Sequence, residues 1–186
     1  ALHIALKLID LNKNDEVLIP SLNFVASTNA ALYCGATPHF IDIEEKTLGV
    51  DIDKLYEYLN KNTKQVNKKC FNKKTKKIIK AIIPTHLYGH PINIKGLLKI
   101  AKKFNLKIIE DAAEGIGSLY FNKHVGTFGD IGVISFNGNK SITTGGGGAI
   151  LTNNTKHAKS AKHLISVAKE NRTYDLAHDE IGYNYK

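Results

Sequence analysis

Apolar residues recur along this chain in two rhythms: a helical spacing of about 3.6 residues, and short unbroken runs that stop at proline, glycine or charge. Leu2, Ile4, Ala5, Leu8, Ile9 and Leu11 fall at helical spacing, and Asn12, Lys13 and Asn14 close the pattern. Residues 16 to 19 form a buried-strand run stopped by Pro20 and Ser21. Residues 26 to 33 read as helix with Gly35 as the stop, and 38 to 43 (PHFIDI) as the next strand. Asp51 or Asp53 can cap a helix running through about residue 59, with Ile52, Leu55 and Leu59 on its inner face. Strand 78 to 83 ends at Pro84, and helix 94 to 104 carries the stripe Leu97, Leu98, Ala101 and Phe104. Strands 106 to 110 and 131 to 136 follow. The glycines at 145 to 148 then enter a strand at 149 to 152, and residues 155 to 169 read as helix before a polar, aromatic tail.

Strands alternating with helices predict an α/β fold with an open, mostly parallel sheet. The last two strands are joined through TTGGGG, which leaves no room for a crossover helix, so one antiparallel edge strand is expected. No internal repeat is visible. At 186 residues the chain is long enough for one domain with a real core, and its 42% apolar and 23% charged residues are ordinary for a globular protein.

The chemistry gathers between residues 106 and 140. Two apolar runs there end abruptly in polar groups, one in Glu110, Asp111 and Glu114, the other in Asn137, Gly138, Asn139 and Lys140. That is how a buried parallel strand reads as it reaches a site at its carboxyl end. A lysine amid apolar and glycyl backbone can have its pKa lowered and its amine freed, so an aldehyde cofactor could be held at Lys140 as a Schiff base. Pyridoxal phosphate would need an acid at its ring nitrogen, a flat group over the ring and donors for its phosphate; Asp111, Phe24, and Ser135 with Asn137 can supply these.

Each residue also has an ordinary reading: a solvated lysine, a helix-capping aspartate, a core phenylalanine. The glycine run does not match G-x-G-x-x-G, and His86 and His90 lack a third ligand, so no metal site is expected.

The net charge of +9 changes the picture in one place only. Residues 61 to 80 hold nine lysines and no acid, and the rest of the chain balances at zero. With Phe71 as its sole aromatic, the segment lacks base-stacking groups, so it reads as a lysine-rich, solvated insertion. Cys34 and Cys70 show neither metal-ligand nor C-x-x-C spacing, which points to a reduced, cytoplasmic setting. No run of about 18 apolar residues exists to cross a membrane.

Four stretches add what single residues do not. DEVLIPSLNFVASTNAALYCGATPHFIDI, AIIPTHLYGHP, KIIEDAAEGIGSLYFNKHVGTFGDIGVISFNGNKSITTGGGGAILT and HDEIGYNYK closely resemble the DegT/DnrJ/EryC1/StrS sugar aminotransferases, in that family's order and across nearly the whole chain. The resemblance implies the large domain of a fold-type I, pyridoxal 5'-phosphate (PLP)-dependent transferase, a three-layer αβα arrangement. It implies that Lys140 binds the cofactor covalently, that Asp111 faces the pyridine nitrogen and that Glu114 lies near the ring hydroxyl. Ala113 matches the small residue below the ring, Phe24 the stacking group and Ser135 a phosphate ligand. Asn184 of GYNYK matches an asparagine that reaches the cofactor phosphate of the neighbouring subunit, which implies a homodimer with shared active sites.

Within the family, CFNKKTKKIIKAIIPTH, EDAAEGIGS and FNGNKSITTGGGG are most similar to transaminases that act on nucleotide-linked 4-keto-6-deoxy sugars, in the subgroup making 4-amino sugars for legionaminic and related nonulosonic acids. A UDP-linked or other nucleotide-linked keto sugar as acceptor and glutamate as donor are thereby implied, in cell-surface polysaccharide biosynthesis.

Family members also carry a strand and a Gly-Thr turn before the first helix, and continue beyond the tyrosine-rich segment into a smaller C-terminal domain. Residues 1 to 186 are therefore expected to be a partial PLP-binding large domain, an internal fragment that binds the cofactor weakly alone. Lys186 stands where an arginine commonly follows. Three alternatives stay open: a family dehydratase, against which Lys140 argues because a histidine takes its place there; a catalytically incomplete sugar-nucleotide-binding remnant; and a nucleic-acid binder using residues 61 to 80.

Overall fold

In the computed structural model, which describes residues 1 to 170 and 177 to 185, α1 (Leu2–Leu8) leads into β1 (Asp15–Pro20), and α2 (Val25–Tyr33) into β2 (Thr37–Ile41). The Asp51 carboxylate accepts from the Lys54 amide and so opens α3 (Ile52–Asn62), which feeds β3 (Thr63–Val66), β4 (Lys69–Asn72) and β5 (Ile78–Ile82). Asn93 caps α4 (Ile94–Phe104), and Asn105, left-handed at φ 55°, ends it. Then come β6 (Lys107–Asp111), the small hairpin β7 (Leu119–Tyr120) and β8 (Lys123–His124), β9 (Ile131–Ser135), β10 (Gly148–Leu151) and α5 (Thr155–Ile165).

Two helices stop earlier than their apolar pattern. α1 ends before Asp10 and α5 before Val167 and Ala168, which adopt left-handed φ of 54°, 56° and 52° and turn the chain while Ile9, Leu11 and Ala168 stay buried.

The main sheet runs β10-β9-β6-β5-β1-β2, parallel throughout except for β10, which lies antiparallel on β9 with Gly148 opposite Ser135. The period of two divides its side chains between two cores. Leu18, Ile79, Ile82 and Ile108 pack against Leu55 and Leu59 of α3 and Leu97, Ile100 and Phe104 of α4. Val17, Ile19, Ile83, Ile109, Ile131 and Val133 pack against Ala5 and Leu6 of α1 and Ala30 and Ala31 of α2. α5 extends this second layer by placing Ala161 and Leu164 on Ile4. The result is the expected three-layer αβα arrangement. Each fully buried Ile or Leu contributes about 1.5–3 kcal/mol.

Residues 61 to 80 keep most of their lysines exposed but fold into the sheet rather than looping out of it. β3 and β4 form an antiparallel hairpin through Asn67 and Lys68, both at positive φ, and β4 pairs with the start of β5. The segment is anchored by polar groups that give no hydrophobic signal in the sequence. Thr63 donates to the Leu59 carbonyl, while Asn72 and Thr75 donate to the buried Glu16 carboxylate at 2.9 and 2.5 Å.

One close approach holds β9 in place. A Cβ added to Gly132 would sit 1.8 Å from the Gly126 carbonyl oxygen, a backbone atom that cannot swing aside. Gly132→Ala should therefore destabilise the fold by about 3 kcal/mol, read as a lower urea midpoint with the slope unchanged.

Candidate active site

The carboxyl ends of β5, β6 and β9 lie side by side in the parallel part of the sheet, next to the point between β1 and β5 where its connections change direction, and it is at carboxyl ends that such sheets bind ligands. Asp111 is the last residue of β6, inside the strand rather than just past it as the pattern 106 to 110 has it, and is 4% exposed. Its Oδ2 accepts from the Ser27 hydroxyl on α2 at 2.9 Å and its Oδ1 from the Ala113 amide at 3.2 Å. Burial nevertheless pushes its carboxyl above the usual range, outweighing those two donors, His86 and the Lys140 ammonium. Such a group is poised to ionise when a cation is brought against it.

Glu110 points to the other side of β6. It accepts from the amides of Gly126, Phe128 and Gly129 at 2.8, 2.6 and 2.5 Å, and its Oε2 lies 3.2 Å from His86 Nε2. Burial raises this carboxyl, but His86 and the glycine amides prevail and hold it below the ordinary range. His86 Nδ1 accepts from the Ile92 amide, so Nε2 carries the proton toward Glu110. The two adjacent carboxylates thus divide the work: Glu110 ties the 126–129 loop and the 86–92 turn to β6, and Asp111 faces α2.

Past β9, the Lys140 amide donates to the Asn137 carbonyl, turning the chain back so that the Lys140 ammonium lies 3.2 Å from Glu114 Oε1. The other Glu114 oxygen accepts from the Tyr88 amide at 2.9 Å, at a residue held at φ 52°. Burial raises the Glu114 carboxyl, while the Tyr88 amide and Lys140 outweigh it and keep it low. Tyr88, Ala113, Glu114, Ile116, Ser135, Asn139, Lys140 and Ser141 line a cavity of about 230 Å³.

Of the residues singled out in the sequence, this cavity gathers Ala113, Glu114, Ser135 and Lys140, with Asp111 two residues before Ala113 and within the field of Lys140. Phe24 and Asn184 are not among its walls. Phe24 sits at the N-terminus of α2, three residues before Ser27, and is 74% exposed; Asn184 is exposed as well. Lys186 lies outside the described residues. His86, weighed as a possible metal ligand, is instead committed to Glu110 and Ile92. Ser27 and Tyr88 were missed as site residues, and His86 was weighed only for metal binding, because each acts through a contact distant in sequence. A small polar residue at a buried helix position was the one legible trace of Ser27.

Residues 1–186 match the DegT/DnrJ/EryC1/StrS aminotransferase family from end to end. The chain belongs to that family. It is 40% identical to a GDP-perosamine synthase of Escherichia coli O157:H7 over 187 residues, covering 100% of this chain and 46% of that protein. A DegT/DnrJ/EryC1/StrS aminotransferase from Brucella abortus superposes with a TM-score of 0.86 at 29% identity, over 99% of this chain and 47% of that one. NtdA from Bacillus subtilis, solved with the cofactor PMP bound, superposes with a TM-score of 0.79 at 32% identity, over 99% of this chain and 38% of that one. The chain thus spans about half the length of the curated relative it matches.

The residues present fit the cofactor of a DegT/DnrJ/EryC1/StrS aminotransferase. The cavity offers an amine at Lys140, a small wall at Ala113 and a hydroxyl at Ser135, and a buried carboxyl at Asp111 waits for a cation. Beside Asp111, the buried Thr85 hydroxyl has no partner.

Proposed function

We propose that this chain carries the cofactor-binding half-site of a PLP-dependent aminotransferase that moves an amino group from glutamate to a nucleotide-linked 4-keto-6-deoxy sugar. The observation that carries the reading is Asp111 at the end of β6 and Lys140 in the turn that follows the adjoining β9, with Glu114 holding the lysine at the cavity wall. The relative named as a GDP-perosamine synthase supports a nucleotide sugar as acceptor.

Lys140 would hold the cofactor covalently through Nζ, Asp111 would keep the ring nitrogen protonated, and Ser135 would donate to the phosphate. PLP, when bound, supplies an electron sink for the carbanion formed at the donor's α-carbon. Glu114 holds the Lys140 ammonium beside the cavity until the amine is needed. Lys140 Nζ, once free, takes the proton from the α-carbon of glutamate and, in the reverse half of the cycle, returns a proton to the sugar carbon. Tyr88 and Ile116 line the same cavity as that amine.

The same reading makes the assembly a homodimer in the cytoplasm, with Asn184 reaching a partner's cofactor phosphate. The exposed Phe24, Val25, Leu32 and Tyr33 on and beside α2, and Ile181 and Tyr185 in the tail, support such a contact. Among the described residues no helix is long and apolar enough to cross a membrane.

Borohydride reduction after adding PLP tests the proposal directly. The expected result is one pyridoxyl group, mapped by peptide mass to Lys140 and absent from Lys140→Ala. Label spread over the surface lysines, with Lys140 unmodified, would overturn it.

A further inference from the structure

Pairing between β5 and β6 continues beyond the last residue of β5. The Asp111 amide donates to the Pro84 carbonyl at 2.8 Å, and the His86 amide donates to the Asp111 carbonyl at 3.0 Å. Thr85 and Asp111 are thereby bridge partners in parallel register. The alternation of the two strands places them on one side of the sheet. Ile83 and Ile109, two residues before each, both pack in the core beneath α1 and α2. The Thr85 side chain consequently belongs to the same layer as the Ser27 hydroxyl that holds Asp111.

What sets Thr85 apart is its hydroxyl. The residue is 8% exposed, and its Oγ1 is buried without a hydrogen-bond partner. Buried polar atoms are nearly always paired, because an unpaired one has given up water and received nothing in return. Valine would fill the same space without that loss. Both Asp111 oxygens already have donors, Ser27 and Ala113, so the fold itself does not use the Thr85 hydroxyl.

Resting on the cofactor assignment above, we propose that Thr85 is a cofactor-contacting residue whose hydroxyl, alongside Asp111, meets the polar edge of the bound ring at its nitrogen. Asp111 provides the charge there, and the Thr85 oxygen accepts a share of the ring N–H while its own proton turns to the Asp111 carboxylate. The orphaned hydroxyl is thus a half-made contact completed by PLP.

Thr85→Val and Thr85→Ser decide the matter, each studied in the whole chain by two measurements: thermal unfolding without cofactor and an absorbance titration with PLP. The expected result for Thr85→Val is an unfolding temperature equal to or above that of the unsubstituted protein, with PLP binding weakened about fivefold, the effect of one hydrogen bond. Thr85→Ser restores the affinity. A PLP analogue with CH in place of the ring nitrogen should bind the valine variant and the unsubstituted protein equally.

PLP affinity unchanged in Thr85→Val overturns the inference. So does an affinity loss matched by a lower unfolding temperature without cofactor, which would mark a structural role. If the unsubstituted protein itself shows no Lys140-dependent PLP uptake, the cofactor assignment fails, and this inference fails with it.

Discussion

Glu110→Ala lowers the unfolding free energy by about 4 kcal/mol, the largest loss expected from any single side chain near the site. The substitution strands three backbone amides, those of Gly126, Phe128 and Gly129, together with the Nε2–H of His86, of which the Gly126 and His86 donors are buried and the other two partly so. Stranded buried donors cost more than the bonds contributed, because their desolvation is no longer offset. Glu110→Gln should lose roughly half as much, since its amide oxygen still accepts while its NH2 group meets amides that also donate.

The pH dependence follows from the sign of the shift. The Glu110 carboxyl is held below its unfolded value, so its contribution is fully present above that value and is lost as pH falls through the lower, folded one. Urea unfolding measured from neutral pH down through the carboxylate range should show the unsubstituted protein losing stability on acidification, and Glu110→Gln losing less. A flat difference between the two over that range would refute the assignment.

Asp111→Asn should do the opposite to stability while weakening cofactor uptake. Here burial raises the folded pKa, so the contribution of the group is present below its unfolded value and fades as pH rises through the folded one. At neutral pH the cofactor-free protein bears the cost of a buried, incompletely compensated carboxylate. Asparagine removes that charge and keeps its hydrogen bonds, accepting from the Ala113 amide and donating to the Ser27 oxygen. The expected gain is about 1–2 kcal/mol near neutral pH, shrinking toward acid.

The same change removes the counter-charge for a protonated ring nitrogen, and PLP affinity should fall about a hundredfold or more. A variant less stable than the parent at neutral pH would show that Asp111 is a structural carboxylate. Gain of stability paired with loss of cofactor is the mark of a group kept for binding.

Much of the fold was legible because the period of two and the spacing of 3.6 residues report burial, and burial builds the layers. β1, β5, β6 and β9 lie where their apolar runs are, and β10 is antiparallel because TTGGGG cannot span a crossover. The β3–β4 hairpin was not legible. Its inward positions include Thr63 and Asn72, whose burial rests on the Leu59 carbonyl and on Glu16, partners that no local pattern reveals. Phe24 reads as a stacking group by resemblance, yet it stands exposed at the start of α2 and outside the cavity.

From the sequence alone came two strand ends carrying a carboxylate and an amine, because a strand's identity and its terminus are local matters of hydrophobic pattern and polar stop. Only the tertiary structure decided which carboxylate did what. Glu110 and Asp111 are neighbours in the chain, but the pleat sends them to opposite faces of the sheet. One meets three amides and a histidine and stays charged, while the other meets a serine hydroxyl and one amide and is pushed toward its neutral form. That division depends on which groups the folded chain brings to each face, and on how completely they replace water.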